Sequence, residues 1–390
     1  MNQLILSGVF FLLLMTSCSE PPSATYQQDL DLLKRRTPII ELVGENPSAR
    51  VLISPSFQGR VMTSTYGGLD GKPNGWFDRN KLAAGEGPYA GLGGEDRVWI
   101  GPLGSQFSFY YQQLEPLDED NWLVPPAMET DPFELVSSTP TAMSVRGEMA
   151  LTNFKGTKFK LRVDREVSLL DHDAIEKNLG ISLPKQVASV AFRSENRLTN
   201  TGDEAWSKQT GLATLLSMGM YPGTDSTTVL IPLPDSVSLD DIFQYFAPLG
   251  QDRLSITDGI LHLRTDGRLR SKIGIPRQLA PPVYGSYVAD EQRLTIVRYR
   301  QTNDSLYFNS NATVQANPFH GEVIPVYNNG PLSDQVAPEA SFYEMESAAA
   351  LQGLAPGGSL WHFHEVYHFG GPKAELTKLV KAALGAELPN

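Results

Sequence analysis

"FYEMESAAALQGLAPGGSLWHFHEVYHF", residues 342–369, decides the fold class. Its first run alternates: Phe342, Glu344 and Glu346 fall on one side, Tyr343 and Met345 on the other. That is the period of a strand, whose successive side chains point to opposite faces. "LAPGG" (354–358) then turns the chain. "SLWHFHEVYHF" (359–369) alternates again, with His362, His364 and His368 in even positions and Trp361, Phe363, Tyr367 and Phe369 in odd ones. Two strands joined by a turn are expected, the second with a buried aromatic face and a wet, imidazole-rich one. Half of the six histidines lie in this second run.

The same texture extends upstream. From "ARVLISPSFQGRVMTSTY" (49–66) onward, apolar alternation is broken by Gly, Pro, Asn or Asp at short intervals. Strands are expected at 49–55, 59–66, 106–114, 141–150, 158–168, 187–199, 209–218, 226–233, 292–300, 340–346 and 359–369. Helical patterns are few. "DLDLLKRR" (29–36) reads as a short helix. "SLDDIFQYF" (238–246) has Ser238 as N-cap and Leu239, Ile242, Phe243 and Phe246 on one face. "PKAELTKLVKAAL" opens with Pro372 where a first turn tolerates proline. With Gly 34 and Pro 28, the chain reads as all-β, a large antiparallel domain over 41–390 with a C-terminal helix.

The first seventeen residues, "MNQLILSGVFFLLLMTS", are uncharged around an apolar run too short for a lasting membrane span. They read as a signal peptide ending at Cys18, the only cysteine. The segment resembles a bacterial lipobox, with Met15 a less usual residue and no Lys or Arg before the apolar run. The resemblance implies lipidation at Cys18, a membrane anchor, and residence in the cell envelope, at the outer membrane facing the periplasm or the surface. Residues 18–40 read as a polar tether and short helix. With no second cysteine there is no internal disulfide, so burial must stabilise the mature chain. A net charge of −12 argues against nucleic acid, whose phosphates demand a basic face.

Three stretches carry possible chemistry. In "GGEDRVWIGP" (93–102), Asp96, Arg97 and Trp99 follow a tight Gly-Gly turn. An arginine fork beside an indole can grip a sugar, donating to hydroxyls while the ring covers the apolar C–H face. Asp96 and Arg97 could equally be a turn pair, with Trp99 in the core. In "FHGEVIPVYNNGPL" (319–332), His320, Tyr327 and Asn328 are candidate ligand contacts, or simple edge residues. In the opening stretch, Glu344 and Glu346 share a face roughly 7 Å apart by strand geometry. Like charges that close raise a carboxyl's pKa toward proton-transfer work near neutrality. His362 and His364 could share a divalent metal ion with Glu346, but no helical His pair or cysteine pair supports it. A polar pocket for a neutral polyol, without cofactor or metal, fits these residues with fewer assumptions.

The order of these pieces resembles the galactose mutarotase-like superfamily, which includes aldose 1-epimerases. The cues are "ISPSFQGRVMTSTYGG" (53–68), "GGEDRVWIGP", "NRLTNTGDEAW" (196–206) and "VYNNGPL" followed by "FYEMESAAALQGLAPGGS". Together they span roughly residues 45–370. An uncharacterised Bacteroidetes-type lipoprotein family within that superfamily is suspected. The resemblance implies a β-supersandwich, a saccharide ligand, Glu346 as the general base and Arg97 as a sugar-gripping residue. It places the acid histidine just after the Thr-Asn turn, where this chain has Trp206 and Lys208 instead. His364, His320 or His362 would then have to supply the acid from another strand. The expected function is an envelope lipoprotein acting on a saccharide by acid/base chemistry, as an epimerase, hydrolase or lyase. A non-catalytic glycan binder and a structural envelope protein are the alternatives.

Overall fold

The computed structural model describes residues 24–331 and 341–389, apart from 86, 88, 112–115 and 118–120. The signal segment and Cys18 lie outside the described residues, as do 112–114 of the expected strand at 106–114.

Three antiparallel sheets carry the described chain. The smallest runs β1 (Ile40–Val43), β2 (Arg50–Ser54) and β3 (Arg60–Thr65). The largest has ten strands. Its first half is β12 (Leu254–Thr257), β13 (Ile260–Arg264), β10 (Thr227–Pro232), β15 (Val283–Val288) and β16 (Arg293–Tyr299). It continues with β19 (Ser359–Gly370), β8 (Ala188–Asn200), β7 (Lys158–Leu169), β6 (Ala142–Thr152) and β5 (Glu134–Ser138). The six-stranded sheet runs β11 (Phe243–Gln244), β14 (Ser271–Pro276), β17 (Glu322–Asn328), β18 (Phe342–Ala348), β9 (Thr214–Pro222) and β4 (Arg97–Gly101). Five α-helices are described: α1 (Tyr26–Lys34), α2 (Arg79–Ala84), α3 (Pro126–Glu129), α4 (His172–Leu179) and α5 (Lys373–Leu384).

The two larger sheets face each other across a continuous apolar core. Hydrogen bonds cross it as well. Tyr343 of β18 shares one with Ser286 of β15 at 2.7 Å, and the Tyr284 hydroxyl donates to the Glu346 carbonyl at 2.7 Å. The alternation in the sequence therefore reports the fold class correctly: antiparallel β, few short helices. α1 forms where "DLDLLKRR" suggested, closed by a Thr25–Gln28 capping box, and buries Tyr26, Leu30 and Leu33 against Phe77 and Leu82. α5 buries Leu376, Leu379 and Val380 on the outer face of the ten-stranded sheet, over Tyr367 and Phe369.

Two local expectations fail for physical reasons. Residues 238–246 are not an α-helix. Asp241 turns back to accept from the Ser238 backbone N–H (2.9 Å) and hydroxyl (3.0 Å), closing one 3-10 turn at Leu239–Asp241. Phe243 then pairs with Gly274 as a strand, the state aromatic residues favour once a partner edge exists. Residues 106–111 form a loop, with the Ser108 hydroxyl donating to the Leu103 carbonyl at 2.6 Å.

At the far end of the large sheet, β5 pairs with β6 alone, carries a register shift between Leu135 and Ser137, and exposes every residue.

Candidate functional site

The sheet order brings the chemistry-bearing strands together. Gly93 and Gly94 adopt φ of +88° and +136°, and a Cβ on Gly94 would sit 2.7 Å from the Arg60 side chain. Only glycine fits there, and the turn delivers the chain into β4. Arg97 and Glu346 both pair with Met218, from opposite sides of β9. Their backbones are thus two strand spacings apart, ~10 Å.

A cleft of about 350 Å³ opens on this face of the six-stranded sheet. Arg97, Met218, Lys272 and Glu344 line its base. One wall is aromatic. Trp99 lies under the Arg97 guanidinium at 4.3 Å, and Trp122 stacks on the buried Tyr110 at 4.4 Å and 9°. Tyr111 meets Trp122 edge-on at 5.8 Å. The opposite wall holds Tyr327 and Phe246, whose ring centroids are 6.2 Å apart. Arg270, Ser310 and Asn311 complete the rim.

Charge is organised in interlocked pairs. Arg97 Nη2 donates to Glu344 Oε1 at 3.1 Å, and its Nη1 lies 3.8 Å from the buried Glu129 carboxylate. Lys272 Nζ donates to Glu346 Oε1 at 3.2 Å. Burial alone would push the Lys272 ammonium down, but Glu346, Glu344 and Glu322 together hold it above the ordinary lysine value. Burial, and then the Glu346 carboxylate, push the Glu344 carboxyl up to about 7, against the opposing pull of Arg97 and Lys272. Glu344 lines the cleft, whereas Glu346 has no exposed surface and meets the cleft only through Lys272. Beside them, the Tyr245 and Ser310 hydroxyls donate to the buried Glu322, whose carboxyl is raised by burial.

The structure sorts the residues singled out from sequence. Arg97, Trp99, Tyr327 and Glu344 line one cleft, with Glu346 directly beneath. Asp96 does not reach it. Its carboxylate is enclosed, accepting from Arg165 at 2.8 Å, so it reads as a structural ion pair rather than a sugar contact. Asn328 is also internal: its carboxamide accepts from Gly267 N–H (3.0 Å) and donates to Leu269 O (2.8 Å), clamping the loop before β14. His320 is exposed beside Phe243 and is not part of the cleft lining.

The β19 histidines face the core, so the face expected to be wet is buried, while Tyr367 and Phe369 on the other face are buried as expected. His362 Nε2 and His364 Nδ1 flank the Ser347 hydroxyl at 2.9 and 2.8 Å, all three buried. That hydroxyl has one proton, so it donates to one ring and must accept an N–H from the other. Trp361, expected inside, is 50% exposed, because α5 covers only the far end of the strand. Ser347 and Glu346 are neighbours on β18 and point to opposite faces, so the imidazole pair and Glu346 cannot share a metal ion. Among the described residues no group of three or more His, Cys, Asp or Glu could hold one.

Burial, with His364 adding to it, pushes the His362 imidazole down to about 3. Below pH 6.5 the unfolded chain takes up a proton here that the folded chain refuses, so stability falls as pH drops toward 3. The slope is at most about 1.4 kcal/mol per pH unit. Urea unfolding between pH 6 and 4 should therefore lose stability less steeply in His362→Asn than in the parent. An unchanged slope would contradict a buried neutral ring.

A family of unknown function, DUF6786, matches residues 24–390. The chain belongs to that family. No curated protein matches the DUF6786 chain in sequence. Solved structures do match in shape. The Slr1438 protein of Synechocystis sp. PCC 6803 superposes with a TM-score of 0.52 at 13% identity, over 85% of this chain and 96% of that one. A protein of Escherichia coli K12 described as a candidate aldose 1-epimerase gives 0.50 at 12% identity, over 85% and 98%. A galactose mutarotase-like protein of Lactobacillus casei ATCC 334 gives 0.49 at 10%, over 85% and 100%. At such identities the likeness concerns fold alone: the DUF6786 chain has the galactose mutarotase-like β-supersandwich.

Sequence reasoning passed over Lys272, Arg270, Glu129, Tyr245 and Trp122 in this DUF6786 member. The alternation of "RSKIGIP" (270–276) marks a strand and so could have flagged Lys272 and Arg270 as sharing a face. Nothing local announces that this face adjoins Glu344.

Proposed function

We propose that the cleft binds a saccharide and that Glu344 exchanges a proton with one of its oxygens. The observation that carries this reading is the position of Glu344: it is the carboxyl that faces the cleft, bonded to Arg97 and close to Lys272, beneath an indole wall. Aromatic plates cover the C–H face of a sugar ring, and fixed cations donate to its hydroxyls. A carboxyl that titrates near neutrality is suited to both taking and returning a proton. The fold shared with a candidate aldose 1-epimerase supports the same class of ligand. In this reading the general-base role inferred for Glu346 passes to Glu344, with Glu346 raising the Glu344 carboxyl from beneath and holding Lys272 in place. We also propose that Cys18 tethers the domain to the cell envelope.

One observation favours a binding-only role. The β19 histidines are enclosed and His320 stands outside the cleft, so no described imidazole faces Glu344 as a second proton carrier. Calorimetric titration with a panel of mono- and oligosaccharides, followed by NMR of the same mixtures, separates the readings. Saturable heat with accelerated anomer exchange or a new product is expected for proton-transfer chemistry. Saturable heat with unchanged spectra makes the protein a glycan binder, and no heat across the panel removes the saccharide reading.

A further inference from the structure

Three cations line the cleft, and among the described residues two of them have carboxylate partners. Arg97 is bonded to Glu344 and Lys272 to Glu346. Arg270 is different. Its Nε–H donates to the Gly330 carbonyl at 3.3 Å, and among the described residues nothing accepts from its two terminal nitrogens. The side chain is half-buried, so those nitrogens keep access to the cleft.

The guanidinium is also held in place. The Arg270 backbone N–H donates to Pro331 O at 2.9 Å, and Asn328 pins the preceding loop at both Gly267 and Leu269. A guanidinium fixed through its Nε leaves a two-pronged donor pair, the geometry that matches a carboxylate or an oxyacid ester. Its surroundings add to the pull. Arg270 and Lys272 are two residues apart, on one face of β14 and its lead-in, roughly 7 Å by strand rise. Like charges at that separation in a partly dry cleft repel, and a bound anion relieves them.

We propose that the ligand is an acidic saccharide, whose anionic oxygens are gripped by Arg270 while the ring lies against the aromatic wall. This rests on the saccharide reading above. The shared chemistry is an oxyanion on a sugar ring, whether a uronate carboxylate or a sulfate or phosphate ester.

Calorimetry at fixed ionic strength tests it with matched rings: glucose and galactose, their uronates, their 6-sulfates and 6-phosphates, and short oligosaccharides of each. The parent protein should prefer an acidic ring over its neutral counterpart by roughly 10- to 100-fold, the range of a charge-assisted hydrogen bond. The arm with the largest ratio identifies the anion. Arg270→Met should collapse that ratio toward one, and Arg270→Lys should restore part of it, with near-UV circular dichroism confirming that both variants fold. Equal affinity for acidic and neutral rings overturns the inference and leaves the saccharide reading standing, as does an equal loss for both rings in Arg270→Met. Binding of no ring at all overturns both.

Discussion

Asp96→Ala should lower the unfolding free energy by about 3–5 kcal/mol, the usual cost of stripping one partner from a buried ion pair. Asp96 and Arg165 have no exposed side-chain surface and meet at 2.8 Å. Arg165, on β7, also donates to Gly59 O at 3.0 Å and to Asn196 Oδ1 at 2.8 Å. It thereby ties the ten-stranded sheet to the turns that start β3 and β4. Removing the carboxylate leaves a guanidinium charge stranded in the core. Against a typical total of 5–15 kcal/mol, that loss brings the protein close to unfolding. Urea denaturation midpoints measure it. Replacing both partners, Asp96→Ala with Arg165→Met, should recover much of the loss, because no charge is then left unpaired. A stable Asp96→Ala protein that had instead lost ligand affinity would return Asp96 to the role of a sugar contact.

The second large effect is on chemistry. If proton transfer occurs in the cleft, Glu344→Gln should cut turnover by about 10²–10⁴-fold, the span of a lost acid–base group. Glutamine keeps the shape and can still accept from Arg97, so affinity should move far less than rate. The pH profile gives a second readout. Acting as a base, Glu344 must be ionised, so the parent's activity should rise as pH passes through about 7, where burial and Glu346 hold its carboxyl. Glu344→Gln should lose that limb of the profile. Full turnover in the variant, or a parent profile flat through neutrality, would move the chemistry elsewhere.

Much of the cleft could be read from parity. Strand alternation correctly puts Glu344 with Phe342 and Glu346, and sets them opposite Tyr343 and Met345. It was misleading on β19 for an identifiable reason. Period two reports which side chains share a face, not which face is covered. Here both are: His362, His364 and His368 point between the sheets, while α5 packs over Tyr367 and Phe369. Trp361, beyond the reach of that helix, is left outside. The partners of Glu344 and Glu346 were hidden for a different reason. Lys272 reaches them only because β14, β17 and β18 lie side by side, a non-local pairing order that a single lysine in "RSKIG" does not announce. Arg97 was legible because the Gly-Gly turn and Trp99 stand within a few residues of it.

An open sheet must stop somewhere, and its last strand offers bare backbone to any other chain in extended form. At the β5 rim, Leu135 and Val136 are 46% and 54% exposed, a surface on which further chains could zip together. The local sequence blunts this. Pro132 and Pro140 bracket the strand without a donor N–H, and the bulge between Leu135 and Ser137 breaks its hydrogen-bonding rhythm. The terminal strand thereby discourages fibril-like growth at the edge where the architecture is most open to it.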